Sequence, residues 1–386
     1  MLSAKLKDGS LVTLALIEKQ AIESLRKSTF YCPVCKTEVI VRAGPKVIPH
    51  FAHRSVVKCM ASGGEGAYHE QGKLILYNWL RKQGFHVKLE HYLPDIKQRP
   101  DLFLQIGKKN IAIEFQCVPL STKEIMKRNA GYHRLQITPI WILGANLYKR
   151  KTNDVLIIPP YQQSFMHQFS KTNTTFLFYF CPSKKLFNII YTPYFHKKNE
   201  AVVTQGFIPM QNINFPQLFQ EKQMNIQALR KRWKGEKKRF RLQSHQTYGA
   251  ERKWQYWLYE KGWNRQALPS IVYMPIRSQW RMKAPLWQWQ SYFVLEFLND
   301  LPLYDKFTYW EAEEMIAHWM YDEALFPLML QVSKPLEEYL QLLCTVKILK
   351  KSTDESYEKI REIEFFHHIE DAIKGDNELL SQFMYN

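Results

Sequence analysis

The sequence contains no run of about 18 consecutive apolar residues, the length a helix needs to cross a bilayer, so no membrane span is expected. Its first residues, MLSAKLKDGS, lack the apolar stretch of a secretory signal, and the expected compartment is the cytoplasm. Cysteine is scarce, with six in 386 residues, which excludes a dense disulfide framework. No internal repeat or low-complexity tract occurs, and a hydrophobic fraction of 46% is enough for a normal core. Acidic residues fall short of basic ones: 36 Asp and Glu face 54 Lys and Arg, a formal charge of +18. Such an excess favours a polyanionic partner, most commonly nucleic acid, because neutralised phosphates release counterions. The 11 Trp, 21 Tyr and 23 Phe add rings able to stack on unpaired bases, although most must serve the core.

The length suggests two or three domains, and the fold class expected is α/β multidomain. Residues 1–62 read as a small Cys/His module that opens with a hairpin around Asp8-Gly9. A glycine-rich stretch at 62–66 then breaks the chain. In 63–155, AYHEQGKLILYNWLRKQG is an amphipathic helix ending at Gly84, and FHVKLEHYL alternates as a strand. DLFLQI, the turn GKKN and IAIEFQCV form a tight hairpin. STKEIMKRNAGYHRL is a helix with Ser121 as N-cap and Glu124 completing a capping box, and TPIWILG is a buried strand. The order is helix, strand, strand, strand, helix, strand (αβββαβ). Residues 156–215 read as a strand-rich extension with a loop near 196–206. Residues 216–386 read as mainly helical, with PLEEYLQLLC, VKILKK and YEKIREIEFF as a late helix and two-stranded wing.

The hairpin carries the chemistry. Asp101 opens one strand after Pro100, and Glu114 and Gln116 project from one face of the returning strand. Two carboxylates converging from adjacent strands suit a hard divalent cation such as Mg²⁺ or Mn²⁺. A glutamate among IAI and F must be paired, solvated in a cleft or metal-bound, because burying it alone is costly. The plain alternative is a surface glutamate on an edge strand.

Cys32-Pro-Val-Cys35 and His50-Phe-Ala-His53 offer two thiolates and two imidazoles, a tetrahedral set for structural Zn²⁺. The close histidine pair is tighter than common fingers, so Cys59 can replace one of them. The densest positive run holds Arg230, Lys231, Arg232, Trp233, Lys237, Lys238, Arg239 and Phe240. It fits a phosphate-tracking arm with Trp233 and Phe240 for stacking, or else a solvated helix. The Trp-rich stretches WQYWLYEKGW and LWQWQSYF read as core. The tail from Ser352 is acidic, with nine Asp or Glu against three Lys or Arg.

Pro100-Asp101, Glu114-x-Gln116 and the element order resemble the PD-(D/E)XK nuclease superfamily, whose core is restriction-endonuclease-like. Cys32-Pro-x-Cys35, His50-Phe-Ala-His53, Tyr68-His69-Glu70, Ser121, Arg128 and Tyr132 narrow the resemblance to the competence protein CoiA family, over about the first 145 residues. The resemblance implies a DNA-processing factor of natural transformation, with single-stranded or branched DNA and recombination proteins as partners. It implies Asp101 and Glu114 as ligands of a catalytic Mg²⁺ or Mn²⁺, Glu70 as a third acid, and Gln116 in the catalytic set. Arg128 and Tyr132, four apart on one helix face, are expected to meet a phosphate or to cap the sheet. Gln116 stands where the superfamily usually has lysine. Lys73 or Lys127 can supply a relocated cation, against the simpler reading of solvated surface lysines. The missing lysine also leaves a second function open, a non-catalytic DNA-binding recombination accessory that keeps the nuclease fold.

Overall fold

A computed structural model describes residues 1–383 except 45–46, 55–58, 60–65, 170–173, 223, 244–247, 331–333 and 354. The expected glycine-rich break lies outside the described residues up to residue 65. Strands β1 (Ser3–Lys5) and β2 (Leu11–Thr13) pair antiparallel. Gly9 turns the chain between them at φ +88°, and Asp8 Oδ1 accepts from the Ser10 amide and hydroxyl. Helix α1 (Lys19–Leu25) precedes β3 (Phe30–Tyr31), β4 (Glu38–Gly44) and β5 (Val47–His53). These strands form one sheet in the order β2-β1-β3-β4-β5, with Leu14, Ile22, Phe30 and Phe51 in its own small core.

The next stretch folds in the expected order. It comprises α2 (Ala67–Lys82), β6 (His86–Leu89), β7 (Leu102–Ile106), β8 (Lys109–Gln116), α3 (Thr122–Arg134) and β9 (Ile137–Gly144). The β7–β8 turn is tight, with Ile106 opposite Lys109 and Leu102 opposite Ile113. The Ser121 hydroxyl caps α3 by accepting from Glu124 N. β9 runs parallel to β8, and α3 is the crossover that a parallel pair requires.

The sheet does not stop there. β10 (Lys149–Arg150), β11 (Val155–Ile157), β12 (Phe176–Cys181), β13 (Leu186–Phe195) and β14 (Glu200–Pro209) extend it, with the short helix α4 (Pro160–Gln163) between β11 and β12. The nine strands run β10-β11-β14-β13-β12-β9-β8-β7-β6. The segment expected as a loop at 196–206 is strand from Glu200 onward. Pairing with β13 and burial of Ala201, Val202 and Val203 override its weak local pattern.

The rest is mainly helical, as expected: α5 (Ile226–Leu242), α6 (Gly249–Glu260), α7 (Leu286–Phe293), α8 (Tyr309–Ile316), α9 (Pro335–Thr345) and α10 (Ile369–Phe383). β15 (Lys306–Thr308) precedes α8, and β16 (Leu349–Lys351) and β17 (Ser356–Lys359) follow α9. The wing after α9 is therefore present, and β15 adds a third strand in the order β15-β17-β16. Trp254 and Trp289 from the Trp-rich stretches are core residues. Among the described residues, no helix is long and apolar enough to cross a membrane.

The basic run is helix α5, and the expectation of a phosphate-tracking arm needs correction. Leu229, Trp233, Lys237 and Arg241 stand four apart and form its buried stripe. Trp233 is fully buried and donates through Nε1 to Tyr273 O at 2.9 Å, so its ring is unavailable for base stacking. Lys237 is buried against Asp376 at 3.1 Å and donates to Ser270 O and Val272 O. Arg232 and Arg239 both pair with Glu236 at 2.8 Å. Phe240 packs on Tyr273 at 4.8 Å, and Arg230 is half-buried. Of the cations expected to grip nucleic acid here, Lys231, Lys238 and Arg239 are exposed.

Candidate active site and metal centre

Asp101 lies one residue before the Leu102–Ile113 pair, which puts it across from Glu114 at the end of the hairpin. Its Oδ2 accepts from Phe115 N at 2.8 Å and contacts His69 Nε2 at 3.2 Å. The His69 ring stacks on Phe115, with centroids 5.8 Å apart. Lys73 Nζ lies 3.8 Å from Asp101 Oδ1, 3.5 Å from Glu70 Oε1 and 2.6 Å from Glu90 Oε1. The expectation of a solvated Lys73 is therefore wrong: its side chain is fully buried in a carboxylate cluster. Lys127 is exposed, as the simpler reading expects.

Glu114 is buried on the face covered by α3. Its Oε1 accepts from Arg128 and from the Tyr132 hydroxyl. These two residues thus hold the glutamate. Tyr132 is fully buried and cannot reach DNA, which corrects its expected part in nucleic-acid binding. Arg128 stacks over Trp141 at 5.3 Å while it pairs with Glu114. Gln116 shares the face of Glu114, but at the strand end its amide nitrogen donates to Val118 O at 2.7 Å. The structure brings Asp101, Glu70, His69 and Lys73 together, sets Glu114 within electrostatic reach of Asp101 and His69, and commits the Gln116 amide to the backbone.

α2 comes this close to β8 because Gly72 has no side chain. A Cβ there would stand 1.9 Å from the Phe115 ring. Gly72→Ala must push the helix off the sheet, an overpacking cost of about 1–3 kcal/mol. We expect a lower thermal midpoint in calorimetry, and an unchanged midpoint would disprove this contact.

The chemistry of Asp101 and Glu114, two carboxylates at one end of the hairpin, is of a kind that could hold a divalent cation. Burial pushes the Glu114 carboxyl up to about 7, and Asp101 pushes it further against the pull of Arg128. Carboxylate oxygens are the hard donors that a divalent cation takes.

The Cys/His module brings together Cys32, Cys35, His53 and Cys59, whose donor atoms all lie within 4.8 Å of one another. Cys35 Sγ is 3.2 Å from His53 Nε2, and Cys32 Sγ is 3.8 Å from Cys59 Sγ. Burial pushes the Cys32 thiol up to about 12. Burial also raises Cys35, but contacts with Thr37, His53 and Cys59 outweigh it and lower that thiol to about 6. This three-sulfur, one-nitrogen set suits tetrahedral zinc. His50 is not part of it, which corrects the expected ligand set. Residues three apart on β5 point to opposite faces, so His50 turns away from His53, and its Nδ1 contacts Ile48 O at 2.9 Å. Accordingly, metal analysis should find zinc lost from Cys59→Ser and retained by His50→Ala, and the reverse result would restore His50 as ligand.

The resulting class is a nuclease-like domain joined to a Cys/His module. Residues 65–223 match the family described as "Competence protein CoiA, nuclease-like domain". Residues 14–62 match its N-terminal domain and residues 229–373 its C-terminal domain. The "Competence protein CoiA" of Bacillus subtilis (strain 168) is 31% identical over 297 residues, which span 74% of this chain and 76% of that protein. The chain belongs to the competence protein CoiA family. No solved structure matches it.

His69, Glu90 and Arg99 were missed as site residues by sequence reasoning. Arg99 Nη1 lies 3.2 Å from Glu90 Oε2. For His69 a signal existed, since it adjoins Glu70 at the start of α2. Glu90 gave none, because it leaves the strand alternation at φ +51°.

Proposed function

We propose that this chain is a divalent-metal-dependent DNA nuclease of the PD-(D/E)XK type, acting in the cytoplasm on incoming or recombining DNA during natural transformation. The observation that carries the reading is Asp101 across from Glu114 at the end of the hairpin, with a buried Lys73 between Asp101 and Glu70. The order of α2 to β9, helix, three strands, helix, strand, supports that reading, because the superfamily resemblance implies an αβββαβ core. Asp101 and Glu114 would hold Mg²⁺ or Mn²⁺, with Glu70 as a third acid. Such an ion supplies Lewis acidity at the phosphate and a water of lowered pKa. Lys73 takes over the positive charge that Gln116 cannot carry, because glutamine offers an amide but no charge. Arg128 and Tyr132 orient Glu114 from behind. The Cys32, Cys35, His53 and Cys59 set would hold structural zinc, since four protein ligands leave no open position.

One observation favours a second reading, a non-catalytic DNA-binding accessory to recombination. Gln116 donates its amide to Val118 O rather than standing at the acids. Incubating single-stranded, duplex and branched DNA with the protein and Mg²⁺ or Mn²⁺ separates the two. Cleavage that disappears in Asp101→Asn supports the nuclease. Tight binding without cleavage by the wild type favours the accessory.

A further inference from the structure

Glu90 is a buried carboxylate outside the acid pair, held by charged and backbone donors. Its side chain is 1% exposed. Oε1 accepts from Lys73 Nζ at 2.6 Å. Oε2 accepts from Arg99 Nη1 at 3.2 Å, from Leu2 N at 2.9 Å and from Ser3 N at 3.1 Å. Its partners thus include the backbone amides of Leu2 and of Ser3, the first residue of β1, which belongs to the Cys/His module some 87 residues earlier in the chain. Glu90 also holds a left-handed backbone, φ +51°, while its own amide donates to Asp101 O at 2.9 Å. A non-glycine residue kept there by surrounding contacts is the kind of strain that accumulates at working sites.

The links on both sides of Glu90 are continuous. His53, one of the four metal-donor residues, ends β5. On the same strand, Phe51 N donates to Met1 O at 2.8 Å, which ties β5 to the start of β1. The next two residues, Leu2 and Ser3, give their amides to Glu90. Glu90 holds Lys73, and Lys73 stands 3.8 Å from Asp101 Oδ1.

We propose that the Cys/His module is a working part of the nuclease site, with Glu90 as the positioning residue through which strand β1 sets Lys73 over Asp101. This rests on the nuclease reading for its catalytic consequence, but not for the structural coupling. A lysine with three carboxylates around it has more than one place to point. Glu90 fixes the choice, and two backbone amides at the start of the Cys/His module fix Glu90 more firmly than a mobile side chain would. Loss of zinc then does more than loosen residues 1–59. It releases Glu90, frees the turn that carries Asp101, and leaves Lys73 without its shortest contact.

The test uses the full chain, with zinc bound and after chelation, without added DNA. Acetylation by an amine-reactive reagent is read peptide by peptide, alongside amide hydrogen exchange. After chelation we expect Lys73 acetylation and exchange across residues 86–101 to rise by about tenfold or more. Lys237 and Lys359, buried far away in the C-terminal region, serve as controls and should stay protected. Unchanged protection of Lys73 and of 86–101 overturns the proposal. An equal rise at Lys237 and Lys359 overturns it too, because zinc would then hold the whole chain rather than this site. In a second arm, Glu90→Gln should retain zinc and lower kcat with little change in KM for DNA, and an unaltered kcat overturns the positioning role. If the wild type cleaves no DNA, the nuclease reading fails by itself, and acetylation and exchange still decide whether β1 sets Glu90 and Lys73.

Discussion

Glu114→Gln should lower DNA cleavage by about 10³-fold or more, equivalent to about 4 kcal/mol of transition-state stabilisation, while DNA binding and the thermal midpoint hold. The substitution keeps the shape of the side chain and an oxygen that can still accept from Arg128 and Tyr132. It removes only the charge. Burial already opposes that charge, holding the carboxyl up near 7 against the help of Arg128. A carboxyl raised in the fold favours folding while it stays protonated, and that advantage is lost as pH rises from about 4.5 to about 7. At neutral pH the ionised Glu114 therefore does little to hold the fold, and its neutral isostere should melt no lower than the wild type. Loss of activity in a protein of unchanged stability then reports on chemistry at the acid pair. Asp101→Asn differs, since Asp101 accepts from Phe115 N and contacts His69, so it should lose both activity and some stability. Cleavage by Glu114→Gln at the wild-type rate would remove Glu114 from the site.

What was legible in the sequence follows from periodicity. The β7–β8 hairpin, its acid pair and the flanking helices announce themselves through period-2 and period-3.6 patterns, which depend on neighbours within a few residues. Lys73 did not, because position 73 on α2 looks like any lysine of an amphipathic helix. Its burial is set by β1 and by Glu90, which are distant in sequence. The histidine pair was readable with one more step: once 47–53 is taken as a strand, His50 and His53 cannot share a face, which leaves Cys59 as fourth ligand. In α5 the charges hid the pattern. Lys237 and Arg241 occupy positions that helical spacing assigns to the core beside Leu229 and Trp233, but composition alone marks them as solvent-facing. Their partner, Asp376, stands more than a hundred residues away in an acidic tail, where helical spacing near Lys237 and Arg241 gives no sign of it.

That triad carries the second large effect. Asp376→Ala should destabilise the C-terminal region by about 3–5 kcal/mol, because it strips the counter-charge from two buried cations at once. Arg241 pairs with Asp376 through two parallel bonds, Nε to Oδ2 at 2.6 Å and Nη2 to Oδ1 at 2.8 Å. Lys237 adds a third contact at 3.1 Å. The remaining donors of both cations go to backbone oxygens: Gln266 and Leu268 for Arg241, Ser270 and Val272 for Lys237. The carbonyls stay when Asp376 is removed, but they carry no net charge and cannot offset two cations that are each 2% exposed. Burial pushes the Asp376 carboxyl up, yet Lys237 and Arg241 outweigh it and hold it below the ordinary 3.8. A depressed carboxyl stabilises the fold at neutral pH, and that stability is lost as pH falls through its lowered value, below 3.8. Thermal melts from pH 7 down to 2 should therefore show a large gap between wild type and Asp376→Ala at neutrality that narrows in acid. Replacing Lys237, Arg241 and Asp376 together by Met, Met and Leu should recover most of the loss, since an apolar substitute of similar volume removes the desolvation cost along with the attraction. A single Asp376→Ala variant that melts like the wild type at pH 7 would mean that the carbonyls alone hold both cations, and the triad would lose its structural role.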